Sequence, residues 1–510
     1  MRRAAAVLLF CTACNGGGPT DLPTPSFPSF PGLVAVSGKA PWASSTCGGP
    51  SGQASGALSV DAEVEPRVAV DPRDARHLVG IWQQDRWSNG GANGLVAAAT
   101  FDGGHTWKTS FAKLTRCSDG PYQRATDPWV DIAPDGTVWQ IAFAFDSFAP
   151  NRAMLVSRSP DGGLTWDAPI TLQRDTDPDL AMDKETLTAD PLDAHFVYAV
   201  WDRLTGFTNP TNHQNTGPAW FARTTDGGVS WETARAIYDP GPDAQTISNQ
   251  IVVLPDGTLV NLLMVLTQNS SANPRAVVSV LRSPDRGVTW STPIAIAEAG
   301  FFGVGDRKTG RGIRTGSVVP SIAVDRSNGT LYVAWEDARF SGARDGIALS
   351  WSTDGGLTWS TPVQVNGAPT FPAFTPSLAA AGGKLAVSYY DLRSDVPSDS
   401  SRTLVTHWLA ISSDSGATFS ETLIGAPFNI RGAAGVDGPA YFLGDYQAVA
   451  AVGADFLPFF VAVPGNGPSD VYFRPADGAA SASTLTVAAR GVQQLWRGAR
   501  ERWRFGTLFK

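Results

Sequence analysis

The stretch TFDGGHTW, from Thr100 to Trp107, carries the pattern that decides the fold. Its Asp can accept hydrogen bonds from backbone N–H groups a few residues later, and Gly adopts a positive φ without steric cost. The aromatic residue starts the next strand with a large buried ring. The pattern S/T-x-D-x-G-x-T/S-W/F therefore predicts a hairpin turn rather than a metal ligand or a catalytic acid. It recurs as SPDGGLTW (Ser159–Trp166), TTDGGVSW (Thr224–Trp231), SPDRGVTW (Ser283–Trp290), STDGGLTW (Ser352–Trp359) and SSDSGATF (Ser412–Phe419).

The spacing of these turns predicts the architecture. They follow one another about every 60 residues, a period that fits four strands plus loops, the unit of a β-propeller blade. Seven phrases read as first strands, starting at Pro66, Pro128, Glu185, Asn249, Pro320, Pro376 and Asp445. The last unit lacks the turn pattern, and we expect residues 33–38 (LVAVSG) to supply its fourth strand. The sequence predicts an all-β propeller over residues 33–475, with seven blades preferred and six as the alternative, closed by an N-terminal strand.

The two ends of the chain differ from this body. A short basic start and an apolar run from Ala4 to Ala13 predict an export signal over residues 1–14. Cys14 resembles the lipidated Cys of a bacterial lipoprotein signal and so predicts membrane attachment, with ordinary secretion as the alternative. Residues 15–32 are rich in Gly, Pro and Ser and predict a tether. Residues 476–510 form a basic tail, either solvated or bound to an anionic surface.

Charge and composition exclude several partners and cofactors. A formal net charge of −8 argues against a general nucleic-acid binder. Cys47 and Cys117 are expected to form a disulfide in an exported protein, and two cysteines without nearby histidines do not complete a zinc site. No Asp-Gly pair matches a calcium loop. We therefore expect no metal, no cofactor and no nucleic acid, and we expect a monomer.

Acidic and basic side chains recur at one end of the predicted blades. The loops after the second strands contain Asp85 and Arg86, Asp202 and Arg203, Asp337 and Arg339, and Asp391 and Arg393. The starts of the first strands add Glu65, Arg67, Asp127, Glu185, Asp445 and Tyr446. These loops open on the face opposite the repeated turns, so they are expected to surround the mouth of the central channel. Each Asp–Arg pair is either an ion pair that holds its loop or part of a site for an acidic sugar.

The six turns resemble the Asp-box, or BNR, repeats of the sialidase (neuraminidase) superfamily. The resemblance covers roughly Glu65 to Arg474. It implies a clamp of three arginines for the substrate carboxylate, an Asp acid/base and a Tyr nucleophile activated by a Glu. The family's first arginine lies in an R-I-P phrase, where this chain has Glu65-Pro66-Arg67. The matching candidates are Arg67 or Arg86, with Arg314 and Arg393, for the clamp, Asp85 or Asp127 for the acid/base, and Tyr446 for the nucleophile.

Two functions remain open from the sequence. The first is an exported glycoside hydrolase of exo-sialidase type, or a relative that acts on another glycan. The second is a non-catalytic surface lipoprotein whose propeller binds a glycan or a protein, since repeated Asp–Arg loops suit scaffolding as well as chemistry.

Overall fold

The fold is all-β, as predicted. A computed structural model describes residues 32–476, apart from 43, 45, 50–55, 148, 207, 209–215 and 268–274, and the backbone of Leu485–Ala488. Two 3-10 helices, Arg116–Ser118 and Ile430–Gly432, are the helical segments in this part. No helix among these residues has the length and apolar character needed to cross a membrane. The expected signal with Cys14, most of the expected tether and most of the basic tail lie outside the described residues.

The strands form antiparallel groups that follow one another along the chain, numbered here as sheets 1 to 7. Strand β1 is Val34–Ala35. Sheet 1 contains β2 (Leu58–Asp71), β3 (Asp74–Trp87), β4 (Ala92–Thr100) and β5 (Lys108–Ser110). Sheet 2 contains β6 (Arg124–Ile132), β7 (Val138–Phe145), β8 (Arg152–Ser159) and β9 (Ile170–Asp175). Ala92 of β4 pairs with Ala125 of β6, so groups 1 and 2 are joined in one eight-stranded sheet. Sheet 3 contains β10 (Ala181–Ala189), β11 (Val197–Leu204), β12 (Ala219–Thr224) and β13 (Arg235–Tyr238).

The remaining groups repeat this order, with one insertion. Sheet 4 contains β14 (Ala244–Val253), β15 (Leu259–Thr267), β16 (Arg275–Ser283) and β17 (Ile294–Ala299); next along the chain come β18 (Val304–Asp306) and β19 (Arg311–Arg314). Sheet 5 contains β20 (Ser321–Asp325), β21 (Thr330–Asp337), β22 (Gly346–Ser352) and β23 (Val363–Gln364). Sheet 6 contains β24 (Ala373–Ala381), β25 (Lys384–Asp391), β26 (Leu404–Ser412) and β27 (Thr418–Leu423), with β28 (Phe428–Asn429) beside β26.

The last strands complete two sheets whose members are far apart in sequence. Strands β29 (Ala434–Val436) and β30 (Ala440–Phe442) join β18 and β19 in what we call the side sheet. Sheet 7 contains β31 (Ala448–Val452), β32 (Asp455–Ala462), β33 (Asp470–Phe473) and β1. Strand β34 (Leu485–Ala488) pairs with β27 at the edge of sheet 6.

Each repeated turn connects the third and fourth strands of its sheet and is fixed by its Asp. In the first copy, Asp102 accepts hydrogen bonds from the backbone N–H groups of His105 and Thr106, both at 3.0 Å, and from Thr106 Oγ1 at 2.6 Å. Thr100 Oγ1 donates to Asp102 at 2.7 Å and accepts from the Gly104 N–H at 3.0 Å. The carboxylates of Asp161, Asp226, Asp285, Asp354 and Asp414 make the corresponding contacts.

The second Gly of the turn lies in the contact between neighbouring sheets. Gly104 has a φ of 94°, and a Cβ on it would come within 2.0 Å of the Phe473 ring in sheet 7. Gly228 in sheet 3 has a φ of 84°, and its Cβ would come within 2.2 Å of Trp139 in sheet 2. Both positive φ and close approach thus require Gly at this place. Because Gly104 meets Phe473, sheet 1 packs against sheet 7.

The start of the chain is attached to both ends of this series. In β1, Val34 and Ala35 pair antiparallel with Phe473 and Tyr472 of β33. Cys47 and Cys117 form a disulfide that joins residues 70 apart in sequence, which confirms the expected pairing. The segment that leads into sheet 1 is therefore bonded to sheet 7 by hydrogen bonds and to the loop after sheet 1 by a covalent link.

We expect Asp354→Ala to lower the free energy of unfolding by about 1–2 kcal/mol, because the turn then loses an acceptor for backbone N–H groups. Hydrogen bonds from the Thr358 side chain and backbone lower the pKa of the Asp354 carboxyl to about 2, so the loss should persist down to acidic pH. Urea unfolding measures the difference, with the exposed Asp243→Ala as the matched control. Equal losses in the two variants would show that the turn does not depend on its Asp.

Candidate functional site

Five first strands carry a bulge at the same position. The strand register shifts between Val64 and Arg67, and at the corresponding places in β6, β10, β14 and β24. One residue in each bulge has a positive φ although it is not Gly: Glu65 (57°), Asp127 (52°), Lys184 (43°), Ser248 (67°) and Thr375 (51°). Such backbone costs on the order of 1–3 kcal/mol per residue and is concentrated at functional sites. The bulges bring charged residues from different sheets together.

Two of these bulge residues, Asp127 and Lys184, line a pocket together with Arg314 of the side sheet, and we call it the acidic pocket. Its full lining is Asp127, Asp183, Lys184, Ile247, Arg314, Gly316, Val318, Val319 and Asp445. Arg314 donates two hydrogen bonds to Asp445, one from Nε to Oδ1 at 2.8 Å and one from Nη2 to Oδ2. The pocket therefore combines an ion-paired carboxylate with two further carboxyls.

Burial changes the protonation of these carboxyls. Burial, reinforced by the negative charge of Asp127, raises the pKa of Asp183 to about 7. Burial, together with Asp127 and Asp445, raises the pKa of Glu65 to about 8. Burial also raises the pKa of Asp127, while the ammonium of Lys184 lowers it. A protonated and an ionised carboxyl can thus coexist in one pocket near neutral pH, as acid/base chemistry needs.

The side sheet explains how Arg314 reaches this pocket. Its strand β19 pairs parallel with β30, so that Arg314 lies opposite Phe442, and the Arg314 guanidinium lies 5.0 Å from the Phe442 ring. Asp445 follows three residues after Phe442 in the chain. The sequence analysis did not predict this sheet, because its halves are separated by sheets 5 and 6.

A second space, which we call the cationic chamber, adjoins the acidic pocket through Lys184. It is lined by Arg67, Trp129, Lys184, Thr186, Ser248, Asn249, Gln250, Val319, Pro320, Ser321, Pro376, Tyr446 and Gln447. The Arg67 guanidinium lies 4.0 Å from the Trp129 ring centre. Lys184 Nζ lies 3.9 Å from the ring centre of Tyr446 and 4.7 Å from that of Trp129.

Tyr446 is buried and its hydroxyl is engaged. It donates a hydrogen bond to the Pro128 carbonyl at 3.0 Å. Burial and the neighbouring carboxylates of Glu65 and Asp127 raise the pKa of Tyr446 well above its ordinary value. This environment holds the phenol neutral and does not activate it as a nucleophile.

The structure brings together five of the seven residues expected at the site. Asp127 and Arg314 line the acidic pocket, and Arg67 and Tyr446 line the cationic chamber. Arg86 is buried nearby, where it donates to Gln83 Oε1 at 3.2 Å, and Gln83 donates in turn to Glu65.

The other two expected residues, Asp85 and Arg393, have their hydrogen-bond partners outside the two pockets. Asp85 accepts hydrogen bonds from the Asp61 N–H at 2.8 Å and from Asn93 Nδ2 at 3.1 Å, within sheet 1 and its adjoining segment. Arg393 donates to Glu421 Oε2 at 2.8 Å and to Asp391, and it lies over the Trp408 ring at 3.8 Å. Their polar atoms thus serve contacts inside sheets 1 and 6 rather than the two pockets.

The recurring Asp–Arg loops are not equivalent. Arg339 pairs with Asp337 at 2.6 Å, and Arg393 pairs with Asp391. Arg203 instead pairs with Asp175 at 2.7 Å. Its neighbour Asp202 accepts from Thr246, Ser248 and Asn249 and so joins sheet 3 to sheet 4. Three of these four loops are therefore held by ion pairs.

Three residues of the site were missed by sequence reasoning: Trp129, Asp183 and Lys184. A signal for them was present. The bulge residue precedes a proline in Glu65-Pro66, Asp127-Pro128 and Thr375-Pro376, and alignment of these first strands with β10 places Lys184 at the same position. Among the described residues, no group of three or more His, Cys, Asp or Glu has the geometry of a metal site.

Comparison with known proteins identifies a relative in sequence. The chain is 28% identical over 326 residues to a sialidase from Micromonospora viridifaciens, in a match that covers 57% of this chain and 44% of that protein. The chain is sialidase-like in sequence. The match thus spans less than half the length of that relative, and no protein-family model matches the chain.

Solved structures of similar fold include an arabinanase and a sialidase mutant. One is an α-L-arabinanase from Penicillium chrysogenum complexed with arabinobiose, with 15% identity, a TM-score of 0.44, and coverage of 66% of this chain and 91% of that chain. The other is a sialidase mutant from Streptococcus pneumoniae, with 10% identity, a TM-score of 0.41, and coverage of 88% of this chain and 99% of that chain.

We expect Glu65→Gln to change how stability depends on pH. Because the folded pKa of Glu65 is raised from 4.5 to about 8, the folded protein keeps a proton that the unfolded chain has lost over this interval. The free energy of unfolding of the unmodified protein should therefore fall as pH rises from 4.5 towards 8, by up to about 1.4 kcal/mol per pH unit for this group.

Chemical unfolding at several pH values tests this expectation. The Glu65→Gln curve should be flatter than that of the unmodified protein across the interval, whereas Glu298→Gln, in an exposed ion pair with Arg275, should leave the slope unchanged. Parallel curves for all three proteins would mean that Glu65 is ionised in the folded state.

Proposed function

We propose that the chain is an exported, sialidase-like β-propeller protein that hydrolyses a glycan at the acidic pocket. The observation that carries the proposal is the convergence of Asp127, Asp183 and Asp445 on one pocket, with Arg314 and Lys184 beside them. The sequence match to a sialidase supports a glycan as the substrate. Two carboxyl groups on one pocket, one as acid and one as base or nucleophile, are the arrangement that glycoside hydrolysis needs.

In this proposal, sheets 1 to 7 are seven blades of one ring. The contact of Gly104 with Phe473 and the pairing of β1 with β33 support closure between the first and last blades. The first strands then line the central channel, and their bulges lie at its mouth, on the face opposite the repeated turns. This placement gives a glycan access to the acidic pocket.

The proposed chemistry assigns a different role to each carboxyl. Asp183, with a pKa of about 7, is the general acid that protonates the leaving oxygen. Asp127, which lines the same pocket beside Lys184, is the carboxylate that activates water or attacks the sugar; burial raises its pKa, and the Lys184 ammonium opposes this effect. Arg314 is held by Asp445, so it fixes the position of this carboxylate and neutralises its charge.

The exo-sialidase mechanism with Tyr446 as nucleophile receives less support from the geometry. The hydroxyl of Tyr446 is bonded to the Pro128 carbonyl, and Arg393 is bonded within sheet 6. Arg67 lines the cationic chamber instead, and Arg86 donates to Gln83 and to the Gly91 carbonyl, so these two arginines do not join Arg314 in the lining of the acidic pocket. Sialosides are accordingly one class to test among several glycans.

The second candidate function is a non-catalytic surface protein that binds a glycan or a protein partner. The observation that favours it is the engagement of Arg314 by Asp445, which leaves fewer free guanidinium donors for a substrate carboxylate. Binding without turnover of any glycan in the panel below would support this function over hydrolysis.

Export and attachment through a lipidated Cys14 belong to the same proposal. The disulfide between Cys47 and Cys117 supports an oxidising compartment. Labelling of the full chain with a radioactive fatty acid in a bacterial host, beside Cys14→Ala, tests the anchor; label in both proteins would exclude Cys14 as its site.

We expect Asp183→Asn and Asp127→Asn each to lower kcat/KM by at least about 100-fold, because each removes a proton donor or a negative charge at the reacting bond. The measurement is hydrolysis of a glycan panel that includes sialosides and arabinosides. The matched control is Asp85→Asn, since Asp85 is a buried aspartate outside the two pockets, and it should keep full activity.

The pH dependence provides an independent check of the acid. With Asp183 as the proton donor, kcat/KM should fall as pH rises through about 7, and this limb should disappear in the residual activity of Asp183→Asn. An unchanged limb in that variant would assign the acid to another group. Failure of the whole panel, with a folded protein, would reject hydrolysis of these glycans.

A further inference from the structure

The two compartments differ in the charges that line them. The acidic pocket is lined by three carboxyls and two cations. The cationic chamber is lined by Arg67 and Lys184 and by no Asp or Glu side chain. Two positive groups that line one chamber repel each other, and a negative ion between them would remove this repulsion.

The environment of Lys184 is the stronger evidence for an anion in the chamber. Lys184 is only 4% exposed, and within the described part of the chain its Nζ donates no hydrogen bond. The rings of Trp129 and Tyr446 attract the ammonium, but a π face replaces only part of the hydration that a buried cation loses. Asp127 attracts the ammonium across the acidic pocket, but no described residue accepts a hydrogen bond from Nζ, and a buried ammonium is stabilised when its N–H groups are hydrogen-bonded.

Arg67 lines the same chamber, and it too has a buried N–H group without a hydrogen-bond acceptor among the described residues. Its guanidinium stacks on Trp129, and its buried Nε donates no hydrogen bond to the residues that the structure describes. Asp131 is the carboxylate that acts on Arg67 electrostatically, and it does not line the chamber. The two cations thus pack on the Trp129 ring, and Arg67 Nε and Lys184 Nζ have no hydrogen-bond acceptor among the described residues.

The neutral lining groups supply little compensation. The side-chain N–H of Gln447 donates to the Thr375 carbonyl, Ser248 Oγ donates to the Val318 carbonyl, and Thr186 Oγ1 donates to the Asn249 carbonyl. Ser321 Oγ accepts the Leu378 N–H, so its own proton is available as a donor toward the chamber. Cationic and hydroxyl donors, without a carboxylate, are the groups that coordinate an anion.

We propose that the cationic chamber binds a small inorganic anion, with chloride as the abundant ion that fits this chemistry, between Lys184 and Arg67. The ion accepts hydrogen bonds from Lys184 Nζ and Arg67 Nε, which have no acceptor among the described residues. This site is distinct from the carboxyl cluster and does not depend on whether the protein hydrolyses a glycan.

Thermal unfolding at constant ionic strength tests the proposal. Replacement of sodium gluconate by sodium chloride should raise the Tm of the unmodified protein in a saturable manner, since a ligand of the folded state stabilises it. Lys184→Met keeps the length of the side chain and removes the charge, and it should abolish the saturable rise. Arg67→Gln should raise the apparent Kd for chloride at least about tenfold. The control Lys384→Met, at an exposed position, should respond as the unmodified protein does.

A crystallographic measurement needs no variant and remains informative if Lys184→Met fails to fold. Crystals of the unmodified protein soaked in sodium bromide or sodium iodide should show an anomalous peak in the chamber between Lys184 and Arg67. Equal responses of unmodified protein and Lys184→Met to chloride, or halide peaks confined to the outer surface, would overturn the proposal. A peak in the acidic pocket instead would assign the anion to Arg314.

Discussion

The fold depends on a turn in which one carboxylate replaces the missing backbone partners of a tight hairpin. Asp102 and its five counterparts hold several N–H and O–H donors each, which fixes the path of the chain between third and fourth strands. The Gly two positions after this Asp packs on an aromatic or aliphatic side chain of the neighbouring sheet. The same turn therefore also sets the distance between sheets. The hydrogen bonds within one turn thus also determine how neighbouring sheets pack against each other.

The opposite face is organised by strain and buried charge. At the bulges, non-glycine residues adopt the left-handed backbone conformation. Carboxyl groups are buried away from water beside Arg314 and Lys184. Both features cost stability, and the apolar contacts between sheets must exceed that cost. The repeated turns therefore offset part of the stability cost of the strained bulges and buried carboxyls, because they stabilise the other end of the strands. Structure and candidate function lie at opposite ends of the same strands.

The repeated elements could be predicted from the sequence, and the irregular ones could not. The turn pattern and its period gave the all-β class and the order of strands, and the first-strand phrases contained Glu65, Arg67, Asp127 and Tyr446 of the site. The side sheet, which carries Arg314, joins short segments that are distant in sequence and lack periodicity. Asp183 and Lys184 were missed because a bulge changes which residues face the pockets, and bulges break the alternation that a strand otherwise shows. The contacts of Asp85 with Asp61 and Asn93, and of Arg393 with Glu421, involve residues outside the loop pattern.

The strand Val34–Ala35 has a consequence for folding. Its partner Phe473 lies near the other end of the described fold, so sheet 7 is incomplete until these distant segments meet. Until then, the edge of β33 that β1 covers is unpaired and exposed to wrong associations. The disulfide between Cys47 and Cys117 restrains the segment that carries β1 beside sheet 1, which packs against sheet 7, and so reduces the entropy lost in this pairing.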